Sequence, residues 1–190
     1  MIPRSDEPNE AIVARVTSGD SDAYAELMAR YEPKLHRYVT YLIHDSMSAH
    51  DVVQETFIKA YEHLQSYKPS YKFSSWVYRI AHNEAMNAVK KLRRNVAEAD
   101  VEDMPDLGYE PNLDEQLDAE ITKVQVHRCL ARLEPKYREV VQLTYFEHMQ
   151  YDEVSDVLRI PTATVGVWLM RAKKKLRVIC EHAQQKGSDT

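Results

Sequence analysis

Trp76-Val77-Tyr78-Arg79-Ile80-Ala81-His82-Asn83-Glu84-Ala85-Met86-Asn87-Ala88-Val89-Lys90-Lys91-Leu92-Arg93-Arg94 repeats its apolar residues at three- and four-residue steps, the period of an α-helix. At 100° per residue, Val77, Ala81, Ala85, Ala88 and Leu92 share the side that faces a core, and Arg79, Asn83, Asn87, Lys90 and Arg94 line up opposite within about 80°. A helix with small apolar residues on one side packs closely on its neighbours. Cations along the other side can neutralise phosphates, and the two amides between them can hydrogen-bond base edges or sugars.

The residues just upstream, Tyr67-Lys68-Pro69-Ser70-Tyr71-Lys72-Phe73-Ser74-Ser75-Trp76, interleave aromatics with lysines. Unstacked bases rest on rings while the nucleic-acid backbone follows positive charge, so this loop suits a single strand. Phe73 and Trp76 open the helix and fit core packing, which leaves Tyr67, Tyr71, Lys68 and Lys72 as the candidates for base and phosphate contact.

The helix before the loop, Ser48 to Ser66, has Val53, Phe57, Ala60, Tyr61 and Leu64 on its core stripe. Asp51, Gln54, Glu55, Ile58 and Glu62 fall within about 100° on the other side, an acidic face broken by one exposed apolar residue. A partner with a basic groove fits it. A solvated surface accounts for the same five residues when they are taken alone.

Further helices are expected near 10–17 and 21–44, with turns at Gly19-Asp20 and Lys68-Pro69-Ser70. Residues 95–122 hold ten acids and no Lys or Arg. With Pro105, Gly108 and Pro111, the stretch 95–119 cannot bury enough apolar surface to offset chain entropy and reads as a flexible acidic linker. A second periodic block follows, with helices near 119–133, 135–147, 151–158 and 162–181, the second opened by Pro135 in its first turn. The expected architecture is all-α: a domain over 1–94, a tether over 95–119 and a domain over 120–190.

In the second block Tyr151 to Leu158, a turn through Arg159-Ile160-Pro161 and a long helix from Thr162 form a helix-turn-helix pattern. Tyr151, Val154 and Leu158 give the first helix an apolar face, and Val165, Leu169, Ala172, Leu176 and Ile179 give one to the second. Both faces can close on 135–147. Downstream, Arg171-Ala172-Lys173-Lys174-Lys175-Leu176-Arg177 places five basic residues in seven, favourable for phosphate contact and for a helix C-terminal end alike.

The chain carries a net charge of −5 in 190 residues. The linker region alone is at −10, so the remainder sums to +5, of which +4 lies after residue 122. Such asymmetry is a pointer to nucleic-acid partners, although a merely solvated charged face is the better account of it when it is taken alone. No apolar run approaches the roughly 20 residues that cross a bilayer, and the start lacks an apolar signal region, so a cytoplasmic location without membrane insertion is expected. Cys129 and Cys180 lack the paired spacing of a zinc or thioredoxin-type site and read as reduced core thiols, with a redox switch as the alternative that no other feature of the sequence supports. No HExxH, Gly-rich phosphate loop or nucleophile elbow occurs, so neither catalytic residues, metal nor cofactor is expected.

These motifs together resemble the bacterial sigma factors related to the primary housekeeping factor, in their extracytoplasmic-function (ECF) branch. Asp51-Val52-Val53-Gln54-Glu55-Thr56-Phe57 is similar to the family's polymerase-binding helix, and Phe73-Ser74-Ser75-Trp76-Val77-Tyr78-Arg79-Ile80-Ala81-His82-Asn83 to its promoter-melting segment. Leu133 to Val141 followed by Tyr151 to Lys175 resembles the domain that reads the minus-35 element.

The resemblance implies that Asp51, Gln54, Glu55, Ile58 and Glu62 dock on the coiled-coil of the largest subunit of core RNA polymerase, with the flap as a further polymerase partner of the chain. It implies minus-10 contacts by Tyr67, Lys68, Tyr71, Lys72, Trp76, Arg79, Asn83, Asn87, Lys90, Arg93 and Arg94, with a flipped base held by the loop and Asn83. Minus-35 contacts fall to Thr162, Thr164, Val167, Arg171, Lys174 and Lys175. An anti-sigma factor is an expected partner, and the free protein is expected to be a monomer. The family reading implies no enzyme activity of the chain's own.

Two departures stand out. Where the family often reads Gly-Thr-Val-Lys-Ser-Arg, this chain has Ala163-Thr164-Val165-Gly166-Val167-Trp168, so polar base readers are largely missing, and Trp168 and Met170 are open to a protein contact. Arg159 replaces the usual turn Gly, which implies either a different turn or an added phosphate contact. The rival reading is an operator-binding regulator that dimerises on a two-fold site and uses residues 10–94 for sensing or dimerisation, against which the Trp76 to Arg94 stripe argues.

Overall fold

The computed structural model describes residues 7–97, 126 and 129–187. Among them all regular structure is helical, in two compact units.

The first unit contains α1 (Asn9–Thr17), α2 (Tyr24–Ile43), α3 (Ser46–Glu62) and α4 (Phe73–Ala97). Short 3-10 turns at Ser21–Ala23 and Leu64–Ser66 occupy the ends of the expected 21–44 and 48–66 helices. Helices α2, α3 and α4 pack on one another and α1 on α2. Ile12, Leu27, Leu35, Tyr38, Val39, Ala49, Val53, Phe57, Ala60, Val77, Ala81 and Ala85 make up most of the core. Burying each larger side chain contributes about 1.5–3 kcal/mol.

Local signals set the boundaries. Gly19 has φ +115°, a left-handed turn that glycine adopts without a Cβ penalty. His44 ends α2 in the left-handed conformation, its N–H donating to Thr40 O at 2.8 Å. Asp45 then caps α3, its carboxylate accepting from the N–H groups of Met47 (3.2 Å) and Ser48 (3.0 Å). Hydrogen bonds from Ser48 and Met47 hold the Asp45 carboxyl below its ordinary value. Across the α2–α3 contact the buried Tyr24 hydroxyl donates to Phe57 O at 2.7 Å.

The core stripes differ in detail from the wheel positions. Tyr61, expected inside, packs its ring edge on Tyr24 with centroids 5.0 Å apart and leaves the rest in solvent. Val52 and Thr56 are buried on that helix instead, the Thr56 hydroxyl being satisfied by Val52 O at 2.7 Å. On α4, Tyr78 is buried against Tyr38. Ala88 is only half-buried and Leu92 is 46% exposed, so the core contact of α4 ends between Ala85 and Leu92.

The second unit contains a helical piece at 129–131, α5 (Pro135–Val141), α6 (Tyr151–Leu158) and α7 (Thr162–Gly187). Where one helix over 135–147 is expected, α5 passes into a π-helical turn at Gln142–Phe146. Leu130, Leu133, Val140, Leu143, Val154, Val157, Val165, Leu169 and Ala172 are buried. The expected linker lies almost wholly outside the described residues, as does most of the helix expected over 119–133.

Cys129 and Cys180, expected as reduced thiols, are joined by a disulfide with Cα atoms 5.7 Å apart. Their separation of 51 residues hides a pairing that only the fold creates.

Candidate nucleic-acid interface

The loop after α3 is held by its own rings. Tyr67 is buried, its ring 5.9 Å from Phe73 and 5.4 Å from Trp76, and Phe73 also meets Tyr31 at 5.4 Å. The Tyr67 hydroxyl donates to Tyr71 O at 2.5 Å, and Tyr71 N–H donates to Lys68 O at 3.0 Å, which closes the turn between them. Burial, with the Glu10 charge second, pushes the Tyr67 phenol up to about 12. The first backbone donor of α4, Phe73 N–H, is taken by the Glu10 carboxylate of α1 at 3.3 Å.

Tyr67, expected to offer its ring to a base, therefore serves as the buried underside of the loop. Tyr71, 45% exposed, is the outer ring, with the Arg79 guanidinium 5.9 Å from its centroid. Lys68 and Lys72 are exposed beside it, and Trp76 is half-buried.

Along α4, Asn83, Asn87, Lys90 and Arg94 are exposed and Arg79 is half-buried, so the basic and amide stripe looks outward. The side chain of Arg93 lies outside the described residues. Beneath the stripe His82 Nδ1 sits 3.1 Å from the buried Tyr38 hydroxyl, and burial draws the imidazole below its ordinary value. A neutral ring there leaves the positive charge to the outer row.

On α3, Asp51, Gln54, Glu55, Ile58 and Glu62 are all exposed, Ile58 at 54%. Lys59 ties this face to α4, 3.3 Å from Glu55 and 2.7 Å from Glu84. The Glu84 contact, with Glu55 second, raises the Lys59 ammonium above its ordinary value. The Glu55–Lys59 contact, which the sequence reading did not single out, has the i,i+4 spacing of a helix-surface pair. The Glu84 and Glu10 contacts carry no sequence signal, because they depend on how separate helices meet.

In the second unit the turn before α7 is set by Arg159 at φ +54°, the left-handed conformation that a glycine enters more cheaply. Ser155 Oγ donates to Ile160 O at 2.6 Å and steadies the turn. Gln150 N–H donates to Glu153 at 3.0 Å, half of a capping box that starts α6. Tyr151, expected on the core face, is 45% exposed and lies over Gly166, where a Cβ would stand 3.7 Å from Tyr151 Cε2.

Val165, Leu169 and Ala172 anchor α7. Its outward face presents Thr162, Ala163, Val167, Met170, Arg171 and Lys174, while Thr164 is half-buried. Trp168 is half-buried and meets Tyr137 edge-on, which takes it out of the outward row. Lys175 is exposed and forms an ion pair with Glu134.

Two family models match this chain. Sigma-70 region 2 covers residues 27–95 and sigma-70 region 4 covers residues 123–176. The RNA polymerase sigma-H factor of Pseudomonas aeruginosa is 30% identical over 178 residues, spanning 90% of this chain and 92% of that one. The chain belongs to the sigma-70 family.

Within the sigma-70 family it falls in the ECF branch. The ECF RNA polymerase sigma factor SigW of Bacillus subtilis is 29% identical over 175 residues, 87% of this chain and 92% of that one. Two solved structures share the fold. CnrH in complex with the cytosolic domain of CnrY has a TM-score of 0.69 at 24% identity, over 93% of this chain and 99% of that one. The sigma factor RpoE with the anti-sigma factor NepR from Bartonella quintana has a TM-score of 0.67 at 20% identity, over 83% and 96%. Region 2 contains the α3 face, the loop and the α4 stripe, and region 4 contains the helix-turn-helix. Among the described residues no helix is long and apolar enough to cross a membrane.

Proposed function

We propose that this ECF sigma factor binds core RNA polymerase, directs it to specific promoters and helps to open them. It does so in the cytoplasm and without an enzyme activity of its own. The observation that carries the reading is the arrangement of region 2: an exposed acidic face on α3 and an exposed basic, amide-bearing face on α4, locked together by Lys59 between Glu55 and Glu84. One factor can then hold polymerase on one side and DNA on the other in a fixed relation.

The α3 face docks on the polymerase coiled-coil, with Ile58 as the apolar centre and Asp51, Gln54, Glu55 and Glu62 around it. A desolvated apolar contact ringed by charges gives both affinity and orientation. At the minus-10 element Tyr71 stacks on an unpaired base of the non-template strand and Asn83 hydrogen-bonds it. Lys68, Lys72, Arg79, Asn87, Lys90, Arg93 and Arg94 follow the phosphates. Tyr67 and Trp76 support that loop from inside.

At the minus-35 element α7 enters the major groove. Arg171, Lys174 and Lys175 contact phosphates, and Thr162, Thr164, Ala163 and Val167 face the bases. Such a surface lacks the arginine that reads guanine and suits the thymine methyl groups. The polymerase flap holds region 4 in place. The exposed α3 and α4 faces are also the surfaces that an anti-sigma factor would cover.

The test is charge reversal on α3. Asp51→Lys with Glu55→Lys should abolish association with bacterial core polymerase on a sizing column while helical content by circular dichroism stays unchanged. Retained association by the folded variant would contradict the assignment.

A further inference from the structure

We infer that Cys129 and Cys180 form a thiol-oxidation site, closed by a peroxide, that fastens the end of the promoter-reading helix to the start of its domain. The inference rests on the proposed function in one respect, that the protein works on DNA inside the cell. Intracellular thiol pools keep most cysteines reduced, and a disulfide formed there is characteristically transient and redox-sensing.

The fold brings the two residues together from opposite ends of the second unit. Cys129 is buried on the helical piece before α5, and Cys180 is half-buried five residues beyond Lys175 on α7. Their Cα separation of 5.7 Å lies in the range a disulfide requires. The same seam holds the Lys175–Glu134 ion pair, Lys175 over the Tyr137 ring at 5.0 Å, and Arg138 donating to Ala131 O and Leu133 O. The bond thus closes a covalent loop around α5, α6 and the DNA-facing half of α7.

The chemistry balances with hydrogen peroxide as oxidant. The thiolate of the more exposed Cys180 attacks one peroxide oxygen, expels hydroxide and becomes a sulfenic acid. The Cys129 thiol then attacks that sulfur, the S–O bond breaks, and water leaves as the S–S bond forms. Two thiol protons and two electrons pass to the peroxide, which ends as two waters.

Val140, Leu143, Val154, Val165 and Leu169 form a buried apolar core that does not include either cysteine, so the reduced unit should keep that core. What reduction releases is the end of α7, where Leu176 and Ile179, both half-buried, are the apolar anchors among the described side chains. Oxidation therefore orders the C-terminal part of the helix and strengthens minus-35 engagement.

The experiment treats the full-length protein with stoichiometric hydrogen peroxide or with dithiothreitol. It then counts alkylatable thiols by mass and follows limited trypsin cleavage after Arg177. Run-off transcription is measured in parallel with holoenzyme made from each form. Oxidation should remove both thiols without dimerisation, slow cleavage after Arg177 by about tenfold or more, and raise transcription. Cys129→Ser and Cys180→Ser should behave as the reduced form under both treatments. Two surviving thiols, an intermolecular dimer, or unchanged cleavage would overturn the proposal. Altered cleavage with no transcription from either form would contradict the sigma-factor reading and leave the thiol chemistry standing.

Discussion

Replacing Glu139 with Gln should stabilise the second unit at alkaline pH and leave it nearly unchanged in mild acid. Glu139 lies in α5, where burial pushes its carboxyl from 4.5 up to about 7 against a smaller opposing effect of the Arg138 charge. Because the folded value exceeds the unfolded one, the folded state holds the proton more tightly. Stability is fully present below about pH 4.5 and falls as pH rises toward 7. At about 1.4 kcal/mol per unit, the loss reaches about 3 kcal/mol once the group is ionised in both states. Gln is neutral throughout and escapes that loss. Urea titrations at pH 4.5 and pH 8.5, followed by Trp168 fluorescence in a Trp76→Phe background, measure it. The reasoning fails if the gain from Gln is the same at both pH values, or if Gln destabilises at pH 8.5.

Other expectations follow from the same geometry. Tyr71→Ala with Asn83→Ala should leave polymerase binding intact but reduce permanganate reactivity of melted promoter thymines, and normal opening would remove their role. Duplexes selected by holoenzyme from a random pool should favour T·A pairs at the minus-35 position. Replacing those thymines by deoxyuridine should weaken binding about fourfold per contacted methyl, whereas indifference to the substitution would exclude methyl reading. Arg159→Gly should raise the thermal midpoint of the second unit, worth about 1 kcal/mol, by relieving a left-handed non-glycine residue. A lowered midpoint would show that the arginine side chain contributes more than its backbone costs.

Helices were legible in this sequence because their apolar period is strong and their breaks are chemical. Gly19, the Lys68-Pro69-Ser70 turn and Pro135 each mark a boundary that the structure keeps. Pro33 lies inside α2 without ending it, on the exposed side, where the Ala29 carbonyl that loses its intrahelical donor can be hydrated. The helix was expected to begin at Ser48, two residues after its observed start, because the Asp45 side chain that caps it went unread.

The candidate faces on α3 and α4 were legible for the same reason: a helix with one buried side presents the other. What the sequence could not show is which wheel positions saturate the core. Tyr61 and Leu92 are apolar and on the inward side, but the packing ends before it covers them. Tyr67 and Tyr71 are the same residue type four positions apart, and only the Phe73–Trp76 cluster separates a buried ring from an open one. The cysteine pairing was illegible because proximity across 51 residues is a product of the whole domain.

The central claim is that this chain supplies promoter choice and opening to a polymerase that lacks them. Bacterial core RNA polymerase should be incubated with a genomic fragment library, with and without the purified protein, and the 5′ ends of the transcripts mapped. The account predicts discrete new start sites that appear only with the protein and share an upstream pair of elements. If the protein neither associates with core polymerase nor creates any start site, the account is wrong.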